Sequence, residues 1–246
     1  MTALWRRAVA ELTGTAALVT TVVGSGIMAQ RLSPDGAVQL LANSTATVFG
    51  LAVLIAVFGP VSGAHFNPVV SLADWWLGRK PERTGLTLTE AGIYSLAQIL
   101  GGIAGAVVAN LMFDLAAVSF SHTTRTGTHL WLAEVVATTG LVVVIVSLVR
   151  HGRPAVIPAA VGAYIGAAYW FTSSTSFANP AVTIGRAFTD SYAGISLSSV
   201  PGFVVAQGIG LLAALGLVAV FYPNARPEPA AATPASAMPE RQPEHV

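Results

Sequence analysis

Ser62-Gly63-Ala64-His65-Phe66-Asn67-Pro68-Val69-Val70 and Ser176-Phe177-Ala178-Asn179-Pro180-Ala181-Val182-Thr183 say nearly the same thing twice. Each places an Asn-Pro step behind a long apolar run. Proline has a fixed φ and no N–H, so it suits the first turn of a helix, and the Asn before it suits the cap. Both stretches therefore predict a helix start. Only about ten residues follow each Asn, 68–77 and 180–188, before polar or Gly punctuation. That is about half of what a bilayer span needs, so the two pieces read as re-entrant half-helices. Such backbone is tolerated at membrane depth only where protein buries it or where it lines a wet cavity.

Working outward, the composition makes this an integral membrane protein. Hydrophobic residues are 54% of the chain and charged residues 9%, where a soluble domain carries roughly a quarter charged residues. Runs of about twenty apolar residues place full spans near 8–29, 42–59, 88–112, 130–149, 156–174 and 200–222. After Arg6 and Arg7 the first apolar run continues to Met28 without a clear stop, which predicts an uncleaved first span. The stretch 223–246 mixes Pro, Ala, Glu and Arg without periodicity and predicts a disordered cytoplasmic tail behind a membrane domain over 1–222.

Charge sets the expected orientation. With both termini cytoplasmic, Arg6, Arg7, Arg79, Lys80, Arg83, Arg150, Arg153, Arg226 and Arg241 lie inside and only Arg31, Arg125 and Arg186 outside. The halves also repeat each other beyond the Asn-Pro steps. Glu11 opens the first span as Glu134 opens the fourth, and Ala97-Gln98 in the third is echoed by Ala206-Gln207 in the sixth. An odd number of spans separates the copies, so the repeats, about 8–112 and 130–222, are inverted, and their half-helices should meet near the midplane.

The duplicated signature, Asn67-Pro68-Val69 and Asn179-Pro180-Ala181 with Ser62-Gly63-Ala64-His65-Phe66 ahead of the first copy, resembles the aquaporin and aquaglyceroporin (major intrinsic protein) family over about residues 8–222. The resemblance implies an all-α membrane protein: a right-handed bundle of six transmembrane helices with two re-entrant half-helices in an inverted repeat. It implies a passive channel for water and small uncharged solutes such as glycerol, urea and metalloid acids like arsenous acid. It further implies a homotetramer in the cell membrane, one pore per subunit, in contact with membrane lipid. On this reading each Asn oxygen caps a half-helix and leaves its NH₂ aimed into the pore, where the two positive helix ends repel cations. Glu11 and Glu134 then accept hydrogen bonds from the re-entrant loops, and His65 turns its backbone carbonyl toward the solute. Gln98 and Gln207 are expected as interhelical glue, and Gly101/Gly105 and Gly162/Gly166 as close helix contacts.

The sequence departs from the family where an arginine usually follows the second motif, since Val182 stands there. Counting without gaps puts the other filter positions on Thr47, Ala167 and Ser176, none of them charged or aromatic, which predicts a wide opening. A register error in the second span would bring in Phe49. Arg186, one turn beyond Val182, is expected to reach out to the interface rather than into the mouth, and His122, His129, Asp114 and Arg125 are expected to be solvated.

Two other classes remain open on the residues: a proton-coupled transporter using Glu11 or Glu134, and a non-conducting membrane adaptor. No nucleophile–base pair, phosphate loop, cofactor motif or histidine spacing for a metal is present, so neither enzyme activity nor a cofactor is expected. The absence of cysteine excludes disulfides and thiolate metal sites, and a net charge of +1 without a basic stripe argues against nucleic acid.

Overall fold

The computed structural model describes residues 2–79 and 85–222; the expected tail at 223–246 lies outside the described residues. Eight α-helices account for most of it: α1 (Leu4–Leu32), α2 (Gly36–Ser62), α3 (Pro68–Gly78), α4 (Leu88–Met112), α5 (Thr128–Arg150), α6 (Ile157–Phe171), α7 (Pro180–Gly185) and α8 (Val200–Phe221). Short 3₁₀ turns precede α6 (Pro154–Val156) and continue α7 (Arg186–Phe188). With its 3₁₀ lead, α6 joins α1, α2, α4, α5 and α8 as helices long and apolar enough to cross a membrane.

The starts carry local causes. Asp35 caps α2 by accepting from Ala37 N and Val38 N, and Thr87 with Glu90 forms a reciprocal capping box on α4. Both half-helices begin Asn-cap then Pro, as their sequence predicts. They differ in length: α3 runs eleven residues and α7 only six before tightening into its 3₁₀ turn.

The chain crosses back and forth, so α1, α4, α5 and α8 each have an end on the face where α1 begins, here the N-terminal face. The helices α1, α2 and α4 pack together as one half, and α5, α6 and α8 as the other, with α2 against α6 closing the ring. Small residues permit the close crossings. A Cβ on Gly101 or Gly105 would strike the backbone oxygens of Leu12 or Ala16, and one on Gly162 would meet the Val48 oxygen at 2.8 Å. The outward surface is apolar, with Leu96, Leu100, Val205, Leu212 and Val220 all at least half exposed. Inside lie fully buried Glu11, Glu134, Gln98 and Gln207. This inversion of the soluble pattern suits a bilayer, where outward side chains meet hydrocarbon and buried polar groups must be paired.

Candidate functional site

Each half-helix is preceded by a loop folded the same way. Positive φ angles occur at Gly63 (91°), Ala64 (50°) and Phe66 (49°), and again at Thr175 (60°), Ser176 (50°) and Ala178 (48°). Left-handed backbone at residues other than glycine costs about 1–3 kcal/mol each and persists only where surrounding contacts enforce it.

The buried carboxylates supply those contacts. Glu11 Oε1 accepts from Ser62 Oγ (2.6 Å) and His65 N (3.0 Å), and its Oε2 from Phe66 N (2.7 Å) and Gln98 Nε2 (2.7 Å). Glu134 Oε1 accepts from Ser174 Oγ (2.6 Å) and Phe177 N (2.9 Å), and its Oε2 from Ala178 N (2.8 Å) and Gln207 Nε2 (2.6 Å). Each glutamine donates onward, Gln98 to Ser71 Oγ and Gln207 to Thr183 Oγ1, which ties loop, span and half-helix together. Two backbone N–H groups that the left-handed loop turns inward thus end on one charged acceptor, a strong arrangement in a low-dielectric interior.

The two Asn residues meet across the repeat. Asn67 Oδ1 accepts from Val69 N (3.0 Å) while its Nδ2 donates to Ala178 O (2.8 Å). Asn179 Oδ1 accepts from Ala181 N (2.9 Å) and Val182 N (3.2 Å), and its Nδ2 donates to Phe66 O (2.8 Å). The expectation that both N–H groups of each amide face the passage is therefore corrected. One N–H of each braces the opposite loop, and one remains. Pro68, Val69, Pro180 and Ala181 are buried in the first turns of α3 and α7, holding the caps in place.

A cavity of about 790 Å³ runs past this junction. It is lined toward the N-terminal face by Asp74, Leu77 and Arg150, at the centre by Asn67 and Asn179, and toward the opposite face by Tyr169 and Arg186. One wall is apolar, with Leu51 and Ile55 from α2 and Val161 and Ile165 from α6 at four-residue spacing. The other is the loop backbone with the asparagines.

Among the residues expected at the filter, Thr47, Ser176 and Val182 line the cavity, and Phe49 is 68% exposed on the outer surface, so the second-span register stands. Ala167 is the exception. Its side of α6 is exposed, and the stripe Ile157-Val161-Ile165-Tyr169 faces inward instead. Tyr169 OH sits 3.2 Å from Thr47 Oγ1. Tyr169, Phe177 and Arg186 thus put aromatic and charged groups where the gapless count left none. Arg186 does not reach outward: it is 3% exposed, donates from Nε to Ala193 O and stacks 3.5 Å over the Phe177 ring. Arg125 is not free in solvent either, since its Nε donates to Gly194 O (2.9 Å) and its backbone N to Ser199 Oγ (3.0 Å). Burial holds its guanidinium below the usual arginine range. His65 lines the cavity with Nδ1 3.1 Å from Ser71 Oγ and its ring edge-on to Tyr94. Among the described residues no group of His, Asp and Glu side chains gathers to hold a metal ion.

Comparison with known proteins places this geometry. The model of the major intrinsic protein family matches residues 1–178. The chain is 50% identical over 224 residues to aquaglyceroporin AqpS of Rhizobium meliloti, covering 91% of this chain and 93% of that one. It is 32% identical to aquaporin NIP1-1 of Zea mays over 216 residues, covering 85% and 72%. The solved aquaglyceroporin of Plasmodium falciparum superposes with a TM-score of 0.64 at 22% identity, over 88% of this chain and 96% of that one, a likeness of fold.

Proposed function

We infer a passive transmembrane channel from one premise: the chain belongs to the major intrinsic protein family. The observation that carries the reading is the cavity running from Asp74 and Arg150 past the crossed asparagines to Tyr169 and Arg186. Its walls suit small neutral solutes with one polar and one apolar side. The lone N–H left on each Asn can pass a hydroxyl or water along the polar wall, while hydrocarbon faces Leu51, Ile55 and Ile165. Water, glycerol-like polyols and urea fit this class, as do neutral hydroxy acids such as arsenous acid. The positive end of α3 and the arginine at the far mouth disfavour cations, protons included.

A proton-coupled transporter is the weaker reading. Glu11 and Glu134 lie outside the cavity lining, and each carboxylate oxygen already accepts two hydrogen bonds. Neither carboxylate offers the passage a free lone pair for relaying a proton. The reading includes a cell-membrane location with the N-terminal face cytoplasmic, supported by Arg6, Arg7, Arg79, Arg150 and Arg153 on that face against Arg31, Arg125 and Arg186 on the other. It includes a homotetramer with one pore per subunit and an apolar, lipid-facing rim. The deciding experiment is stopped-flow light scattering on proteoliposomes of the purified chain. Permeability to water and glycerol well above protein-free vesicles, without uphill uptake under a pH gradient, is expected. Permeability no greater than that of lipid would favour the adaptor reading.

A further inference from the structure

The two halves match around their glutamates, and beside the re-entrant loops the match fails in a consistent way. Four residues before Glu11 stands Arg7, and four before Glu134 stands Leu130; four before Gln98 stands Tyr94, and four before Gln207 stands Phe203; His65 answers to Phe177. The second set is apolar, Leu130 and Phe203 packed with Phe177, whose ring meets Phe203 edge-on at 5.0 Å. The first set is hydrogen-bonded. Arg7 donates from Nε to Tyr94 OH (2.7 Å) and from Nη1 to Glu90 Oε1 (2.9 Å), and Tyr94 OH donates to Ser62 O (2.9 Å). His65 stands edge-on to the same tyrosine ring, centroids 5.5 Å apart.

The direction of each bond follows from the donors available. Arginine only donates, so Tyr94 OH accepts from it and its one proton is left for Ser62 O. Ser62 ends α2, and Phe66 N, the donor that a continuing helix would supply to its carbonyl, goes to Glu11 Oε2 instead. Tyr94 takes that place from another helix. Its side chain is fully buried, packed with Leu86 and Ala91, whereas the Arg7 and Glu90 side chains are 19% and 24% exposed. An ion pair this open adds little to stability by itself. What it does is aim the guanidinium: with Nη1 on Glu90, Nε faces the tyrosine. The charged donor then polarises the hydroxyl and strengthens its bond to Ser62 O.

Resting on the channel reading above, we propose that Arg7 is a positioning residue for the passage. Through the Tyr94 hydroxyl it holds the Ser62 carbonyl, where the left-handed loop leaves α2, and the ring on which cavity-lining His65 leans. The His65 ring has two supports, Ser71 Oγ at Nδ1 (3.1 Å) from the half-helix and the Tyr94 ring from α4. Without Arg7 the hydroxyl is free to turn from Ser62, the tyrosine ring shifts, and His65 tilts into the cavity. That narrows the passage for a solute of glycerol's size more than for water. The opposite half has no such route, since Leu130 and Phe203 have no side-chain hydrogen bond to offer.

The test is the ratio of glycerol to water permeability in proteoliposomes of the full chain, a quantity that the number of folded channels does not change. A hydrogen bond to a charged group is worth on the order of tenfold or more in an equilibrium, and the ring stays packed after its loss, so Arg7→Met is expected to lower the ratio about threefold. Tyr94→Phe, which keeps the ring and deletes the hydroxyl, should lower it as much and serves if the Met variant folds poorly. The double variant should fall no further, because both changes act on one route. Arg7→Lys, which can still donate to the hydroxyl, should restore part of the ratio. Thr87→Ala removes the cap of α4 but leaves Arg7 both of its partners, so it should lower thermal stability and leave the ratio near wild type. An unchanged ratio in both Arg7→Met and Tyr94→Phe overturns the positioning role. Falls that multiply in the double variant overturn the route through the hydroxyl. A fall in Thr87→Ala as large as in Arg7→Met reduces Arg7 to packing of the helix ends. Wild-type vesicles no more permeable than lipid overturn the channel reading itself, a result distinct from a permeable wild type whose ratio does not move.

Discussion

The loop before α3 and the loop before α7 share a backbone but not a surface. Positive φ angles fall at matched residues, a glutamate takes the same two N–H groups, and each Asn reaches the other loop's carbonyl. The side chains then diverge. His65 corresponds to Phe177, Phe66 to Ala178, Gly63 to Thr175, and Asp74 at the N-terminal mouth to Arg186 at the other. The shared part builds a passage, and the divergent part gives its two ends different chemistry. A shorter half-helix contributes less dipole, and it is at the end of six-residue α7 that fixed positive side chains stand.

The largest expected effect tests the shared part. Glu11→Ala and Glu134→Ala each strand four donors, buried groups that cost about 1–3 kcal/mol apiece when left unpaired. Both variants should lose most of their yield and thermal stability in detergent, and by similar amounts. Glu→Gln, which keeps one acceptor, should be milder in both. One half tolerating Ala would break the equivalence.

A smaller effect tests the divergence. The Phe66 ring occupies the space a Cβ on Gly14 would need, whereas the matching pair in the other half is Ala137 with Ala178. Gly14→Ala should cost about 1–3 kcal/mol through overpacking. In a Phe66→Ala background the same change fills vacated space and should cost little or stabilise. Equal costs in the two backgrounds, read by thermal unfolding as a double-mutant cycle, would separate Gly14 from Phe66.

The smallest effect concerns Gly63 and Thr175. Threonine at φ 60° is strained by its branched Cβ. Thr175→Gly should raise stability by about 1 kcal/mol, while Gly63→Ala, whose Cβ would meet the His65 ring at 3.1 Å, should lower it. Opposite signs are the prediction; a loss in both would mean the loops are not held in equivalent strain.

Much of this was legible in the residues because it is local or periodic. Asn-Pro is a helix start in any context, apolar runs of span length declare themselves, and a buried Glu or Gln in such a run requires a partner. That Glu11 and Glu134 serve the loops came from the family resemblance; the residues alone left a proton relay open. What failed depended on helix rotation or on distant chain. Counting without gaps chose Ala167, although the four-residue stripe Ile157-Val161-Ile165-Tyr169 carried the better signal. Arg186 was expected to turn outward because a bare charge is costly in a bilayer, and what offsets that cost is the Ala193 carbonyl and the Phe177 ring. Arg125 depends on carbonyls some seventy residues away in sequence, Tyr192 O and Gly194 O. The reciprocal Asn67–Ala178 and Asn179–Phe66 bonds likewise join positions more than a hundred residues apart.

Those reciprocal bonds carry the central claim, that the two loops form one passage. Water permeability and cation leak of proteoliposomes bearing Asn67→Asp, Asn179→Asp or both test it most directly. Each change keeps the cap, removes the donor to the opposite loop and sets a carboxylate against a carbonyl. The account predicts that either single variant lowers water flux or opens a cation leak, by similar amounts, and that the double variant falls short of the sum because both act on one junction. Unchanged flux with no leak in both singles, at equal reconstitution, would contradict it.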